Sequence, residues 1–396
     1  MSLLLRNVRP LGGEATDVLF AEGRIAAIAP GLAAEGAEVE DGGGRLALPG
    51  LVDAHTHLDK TLLGEPWFRN EVGPTIADRI AAERREKRER GIDPHVQSLR
   101  HALRTLAHGT TRLRSHVDVD DENGLAAMEG VLATREALRG WLDIEIVAFP
   151  QSGIMVRRGV AELLDAALAM GADLVGGLDP CAIDRDPKGH LDVVFGLAER
   201  HGRPVDIHLH EPGEMGAFSL DLILERTRAL GMQGRVAVSH AFALGAPVLP
   251  RREALIAALA EADVAILTTA PPAADVPSVR ALRAAGVRVA AGNDGFRDVW
   301  GPFGDADMLE RARLVAMKND LRRDADLALA LELCSTAGAA MTGAPDHGLA
   351  DGAPGDLVLV EAETLAEAVA QHPPRRLVVK GGRVVARDGA ALRPAP

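Results

Sequence analysis

From residue 50 onward the hydrophobic pattern switches repeatedly between two textures. Short runs of β-branched and aliphatic residues end in polar clusters: "PGLVDAHTHLD", "TTRLRSHVDV", "DIEIVAFPQ", "ADLVGGLDP", "VDIHLHE", "RVAVSHAFAL", "DVAILTTAP" and "VRVAAGNDG". Between them lie Ala-, Leu-, Arg- and Glu-rich stretches with helical spacing, such as "GVAELLDAALAMG" and "SVRALRAAG". Strands that alternate with helices are joined by crossovers and run parallel. Eight such units predict a (β/α)₈, TIM-like barrel over residues 50–349. The ends carry a different pattern, with short strands and turns in "LLLRNVRP", "DVLFAEGRIAAIAP", "GGGRLALP", "GDLVLVEA" and "RLVVKGGRVVARDG". Neither end can form a core alone, so residues 1–49 plus 350–396 are expected to pair into one small β domain. A hairpin is expected around Gly381-Gly382. The charge run "RREKRERG", Arg84 to Gly91, is expected to be a solvated helix face.

Composition narrows the class. Of 396 residues, 47% are hydrophobic, which excludes a mostly disordered chain. The formal net charge of −13 argues against broad nucleic-acid or membrane binding. No apolar run is long enough to span a bilayer, and "MSLLLRNVRP" reads as a strand rather than a signal peptide. A cytoplasmic location is therefore expected. The two cysteines, Cys181 and Cys334, provide neither a disulfide framework nor a C-x-x-C metal motif. Aromatics make up only 3%. That singles out Trp67, Phe149, Phe296 and Trp300, which all lie beside turn-rich sequence.

The chemistry-bearing residues fall at the C-terminal ends of the proposed strands. His55 and His57 end the first, His116 and Asp118 the second, and Gln151 the third. His208, His210 and Glu211 end the fifth, His240 the sixth and Asp294 the eighth. This is the face on which (β/α)₈ enzymes build their sites. So many buried imidazoles and carboxylates need partners, and structural roles for all of them are implausible. Strand residues two apart share a face, so His55 and His57 can chelate one ion. A third histidine from strand five and a carboxylate from strand eight complete a set suited to Zn²⁺, Fe²⁺ or Mn²⁺. An ion with one open position would activate water for attack. Glu211 is placed to carry protons, and His240 is the candidate for stabilising developing charge.

"LPGLVDAHTHLDK", "VDIHLHE", "VSHAFALG", and "GNDG" with "GLADGAPGDLVLV" resemble the amidohydrolase superfamily across almost the whole chain. "RSHVDVDDENGL", "DIEIVAFPQSGI", "GADLVGG" and "DVWGPFGDADML" resemble its cytosine deaminase branch, which includes s-triazine aminohydrolases. The resemblance implies a metal-bearing barrel with a small β-sandwich built from both termini. It makes His55, His57, His208 and Asp294 the metal ligands and Glu211 the proton shuttle. It gives His240 the polarising role, and Asp294 doubles as the base. Gln151 would bind an amide edge of the substrate and Trp300 would wall the ring. Binuclear relatives carry a modified lysine near the end of strand four, whereas Lys188 lies in the following loop; one divalent ion per chain is expected. Cytosine deaminases place an acid after the metal-binding aspartate, where this chain has Gly295. A larger or differently substituted ring is therefore accommodated, within a class of cytosine-like pyrimidines, triazines and related nucleobase analogues, with His210 as a substrate contact or a support behind the ligands. The expected activity is hydrolytic deamination of an amino-substituted nitrogen heterocycle by a homo-oligomer. The rivals are hydrolysis of a cyclic amide and a catalytically silent binding protein.

Overall fold

The computed structural model describes residues 2–33 and 35–393. Met1, Ala34 and residues 394–396 of the expected terminal domain lie outside the described residues. Two eight-stranded sheets organise the chain. The first contains β1 (Leu3–Pro10), β2 (Thr16–Ala21), β3 (Arg24–Ala29) and β4 (Glu38–Pro49) from the N-terminal part. The parallel barrel strands come next: β5 (Leu51–Thr56), β6 (Thr110–Asp118), β7 (Asp143–Phe149), β8 (Leu174–Leu178), β9 (Val205–His208), β10 (Val236–Ser239), β11 (Val264–Thr268) and β12 (Val289–Ala291). From the C-terminal part, β13 (Leu357–Val360), β14 (Arg375–Lys380), β15 (Arg383–Arg387) and β16 (Ala390–Ala391) return to the first sheet. Its order is β16-β15-β14-β13-β4-β1-β2-β3, so the two termini meet where β13 pairs antiparallel with β4. Val8, Phe20, Ile25, Leu357 and Val379 pack into a separate apolar cluster on this sheet. The Gly381-Gly382 hairpin joins β14 to β15 as expected.

The barrel strands follow one another in chain order. The ring closes where Thr56 bridges Asp294 and the Asp294 amide donates to the His55 carbonyl at 2.8 Å. That closure needs a glycine. A Cβ on Gly292 would lie 2.4 Å from the His55 carbonyl oxygen and 2.5 Å from its nitrogen, too close for any side chain.

Period-two patterning sorts the strand residues. Val205 and Ile207 of β9 belong to the apolar layer beneath the helices, and so do Val236 and Val238 of β10. The intervening Asp206, His208 and Ser239 turn into the barrel, where all three are buried. Arg114 of β6 reaches into the same interior and donates to Asp206 at 2.9 Å. The interior thus carries a polar ladder that leads up to the mouth.

The loop after β5 feeds helix α1 (Ile76–Arg90), begun by a capping box at Thr75 and ended at Gly91 in the left-handed region. The charge run on α1 is the expected solvated face only in part: Arg85, Arg88 and Glu89 are exposed, while one edge of the helix turns inward. Glu83 and Arg84 are buried. Arg84 meets Asp121 at 2.7 Å and Ser152 at 2.9 Å, and Lys87 pairs with Glu83, Asp59 and Asp118. The physical reason is charge balance: the loop ends of β5 and β6 are acidic, and α1 brings the cations that neutralise them.

Candidate metal centre and substrate cavity

The expected strand ends converge on one mouth. β5 delivers His55, with His57 just beyond it. β9 ends on His208, and His240 follows the last residue of β10. Asp294 lies three residues past β12, held by the bridge to Thr56. His240 and Asp294 both adopt positive φ, 70° and 65°, which turns the chain sharply at the mouth.

The donor atoms of His55, His208 and His240 lie within 4.8 Å of one another, and so do those of His55, His57 and Asp294. The Asp294 Oδ1 sits 3.2 Å from His57 Nε2 and 3.7 Å from His55 Nε2, and its Oδ2 lies 3.8 Å from His240 Nε2. His208 Nε2 is 3.4 Å from His57 Nε2. A network beneath fixes one tautomer. The Ser239 hydroxyl donates to Asp206 Oδ1 at 2.7 Å, so Ser239 Oγ accepts from His55 Nδ1 at 2.9 Å. The Nε2 of His55 then presents a lone pair to the centre, where it has no hydrogen-bond partner although buried; His240 Nε2 is likewise unpartnered. Burial holds His57 at about 3, and His208 and His240 well below the ordinary imidazole range. Burial would raise the Asp294 carboxyl, yet contacts with His55 and His57 keep it well below the usual value. Neutral imidazoles facing an ionised carboxylate, with buried nitrogens lacking partners, form a donor set that fits a divalent cation.

A cavity of about 570 Å³ opens above this centre. His57, His208 and Asp294 are on its wall, with Gln151, Trp300, His210 and Gly295. Those sequence-expected residues are thus brought together. Glu211, expected as the proton shuttle, is not among the residues that line this cavity. Its Oε1 accepts from the backbone nitrogens of Cys181 and Ala182 at 2.7 and 2.8 Å, and its Oε2 accepts from the Ser219 hydroxyl. Strand β9 stops at His208, so the chain turns before Glu211 and aims the carboxylate back at the β8 loop.

Its neighbour His210 faces the cavity. The Asp179 carboxylate accepts from both the His210 amide, at 2.6 Å, and the His210 Nδ1, at 2.8 Å. The ring stacks on His240 with centroids 4.4 Å apart. Burial pushes the His210 imidazole down, and the Asp179 charge more than offsets this, leaving its pKa raised. Asp179 stood in the "ADLVGGLDP" run without any periodic signal to mark it. Asp206 was more legible, two positions before His208 on the same strand face.

Lys60 closes the "HTHLDK" motif, where spacing alone gives it no mark. Its ammonium is buried on the cavity wall, 3.0 Å from Asp118 and 3.6 Å from Glu83. Burial lowers its pKa and the facing carboxylates outweigh that, so it stays charged. It donates to Gln151 Oε1, which leaves the Gln151 NH₂ as a donor toward the cavity. The Trp300 indole nitrogen donates to Glu83, fixing the ring, and Phe149 lines the same wall. Phe296 is buried while Trp67 is exposed, so neither of these carries the site. Lys188 is solvent-exposed on the helix Pro187–His201 and bonds Asp192.

The comparisons agree with this architecture. The family model described as "Amidohydrolase family" matches residues 38–386. N-isopropylammelide isopropyl amidohydrolase of Pseudomonas sp. (strain ADP) is 33% identical over 362 residues, 88% of each chain. The crystal structure of N-isopropylammelide isopropylaminohydrolase from Burkholderia multivorans is 56% identical with a TM-score of 0.95, covering 99% of this chain and 100% of that one. The 5-methylcytosine deaminase of Klebsiella pneumoniae, liganded with 5-fluorocytosine, is 28% identical with a TM-score of 0.84, covering 100% and 99%. The chain belongs to the amidohydrolase family and is a metal-dependent hydrolase built on its barrel.

Proposed function

We propose that this protein hydrolyses the exocyclic C–N bond of an amino-substituted nitrogen heterocycle bearing ring oxo groups, with one divalent ion per chain. The observation that carries this reading is the convergence of His55, His57, His208 and Asp294 at a cavity walled by Trp300 and Phe149. The similarity to N-isopropylammelide isopropylaminohydrolase favours an alkylamino-dioxo-triazine among such rings. His55, His57, His208 and Asp294 would hold the ion, with His240 beside it. When bound, the ion supplies Lewis acidity that makes a water acidic near neutral pH. The absence of a lysine at the end of β8 supports a single ion. Zn²⁺ suits a three-histidine, one-carboxylate set, as does Fe²⁺.

The chain's own residues do the rest. Trp300 and Phe149 hold a flat ring, and the Gln151 NH₂ donates to a ring oxo group. Asp294 accepts a proton from the attacking water, and His240 orients that water against the ring carbon. His210, whose pKa is raised by the facing Asp179 against the effect of burial, gives a proton to the departing nitrogen. The balance is one water consumed, a C–OH formed, and one amine or ammonia released. This replaces Glu211 by His210 as the proton donor. A cytoplasmic homo-oligomer completes the reading, with residues 1–49 plus 350–396 as the β domain and 50–349 as the barrel.

The test is a screen of aminotriazines, aminopyrimidines, pterins and creatinine-like rings with amine and ammonia readouts, beside an absorbance assay on cyclic amides. Equimolar ring conversion and amine release on an oxo-substituted ring is the expected result. Ring opening without released amine would replace this reading by cyclic-amide hydrolysis. Metal analysis is expected to return one equivalent per chain.

A further inference from the structure

Asp298 lies four residues past Asp294, on the cavity wall beside Gly295 and Trp300. It is 5% exposed. One carboxylate oxygen is spent on the loop: Oδ1 accepts from the amides of Trp300 and Gly301 at 2.8 and 2.9 Å. The other, Oδ2, points at Gly295, where a built Cβ would meet it at 1.9 Å. Gly295 does not have a positive φ. Its backbone therefore accepts a side chain, and the obstacle to one is the Asp298 carboxylate itself. A single volume of the cavity wall is filled by the acid from position 298 on condition that position 295 stays bare. Across the cavity, Gln151 offers a donor.

We propose that Asp298 is a specificity-determining residue whose Oδ2 accepts a hydrogen bond from an N–H of the bound heterocycle, using the space that Gly295 leaves open. This rests on the proposed heterocycle hydrolysis. A donor from Gln151 and an acceptor from Asp298 together complement a ring that carries both a C=O and an N–H. Dioxo-aminotriazines do so, and a fully aromatic aminotriazine lacking ring N–H groups does not. Burial pushes the Asp298 carboxyl up to about 7, consistent with an acid kept from bulk water at the wall.

Asp298→Asn tests this directly. The Asn carbonyl can still accept from the Trp300 and Gly301 amides, while its NH₂ replaces the outward acceptor with a donor. With N-isopropylammelide as substrate and metal content and Tm unchanged, KM is expected to rise roughly 10- to 100-fold, with kcat altered far less. The second arm moves the acid. Gly295→Asp alone should lose at least about 10²-fold in kcat/KM through crowding, whereas Gly295→Asp in an Asp298→Gly background should regain at least about tenfold over Asp298→Gly alone. An unchanged KM in Asp298→Asn, or a fall in kcat alone, overturns the proposal. So does a double variant no better than Asp298→Gly. Wild-type protein that turns over none of the screened rings refutes the functional reading itself, and this inference with it. An active wild type with unresponsive variants refutes only the role of Asp298.

Discussion

The chain contains two His-x-His pairs near strand ends, and the structure uses them differently. At β5, His55 and His57 both present nitrogens to the same centre and to Asp294. At β9, His208 joins that centre, while His210 is turned aside and clamped by Asp179 through its amide and its ring. The spacing is identical, and the partner decides the outcome. Ser239 and Asp206 fix His55 from behind in the tautomer that leaves Nε2 free. The Asp179 carboxylate outweighs burial and raises the His210 pKa, which suits the proton-donor role proposed for it. Sequence spacing specifies which ring can reach a site; the groups around the ring specify what it can do there.

The largest effects should come from the pair that acts as a unit. Chelation of the metal, or His55→Ala, is expected to remove metal and lower kcat/KM by at least on the order of 10³-fold. Re-addition of Zn²⁺ or Fe²⁺ should restore only the chelated wild type. His208→Asn should behave as His55→Ala does. His210→Asn should separate the pair: full metal content, with kcat lower by about 10²- to 10³-fold. If His210→Asn loses metal in parallel with activity, the two pairs are equivalent and the contrast collapses. A smaller effect is expected from Ser239→Ala, which removes the acceptor for His55 Nδ1. Chelator competition should show metal affinity weakened by about 10- to 100-fold, and excess metal should recover much of the activity.

Much of this was readable beforehand, for definable reasons. The eight barrel strands each carry a dense β-branched or aliphatic run, and all eight were located from it. The His and Asp residues at their ends were visible because polar residues that follow apolar runs mark the barrel mouth. What period and motif could not supply was direction beyond a strand end. β9 stops at His208, so the path of Leu209 to Glu211 depends on Asp179 and Ser219, which are remote in sequence. One edge of α1 departs from the expected solvated face for a related reason. Its alternating charges match a solvated helix, and only the tertiary proximity of Asp59 and Asp118 turns Lys87 and Glu83 inward. Asp298 was invisible because its meaning comes from the empty position at Gly295.

The smallest predicted effect falls on the residue from which the motif promised most. Glu211 follows His210 directly, yet its oxygens are satisfied by Cys181, Ala182 and Ser219. Burial raises its pKa, with the Ser219 and backbone hydrogen bonds opposing. Glu211→Gln keeps one carbonyl oxygen for the two amides and exchanges the other for an NH₂ facing Ser219, whose hydroxyl can rotate to accept. The expected cost is about 1–2 kcal/mol of stability, read as a lower denaturation midpoint, with metal content unchanged and kcat within about threefold of wild type. A loss of kcat comparable with that of His210→Asn, at unchanged stability, would return the proton transfer to Glu211. It would also mean that the carboxylate leaves the β8 loop when substrate binds. The pair of variants therefore decides between two adjacent residues by two independent readouts, turnover for one and unfolding for the other.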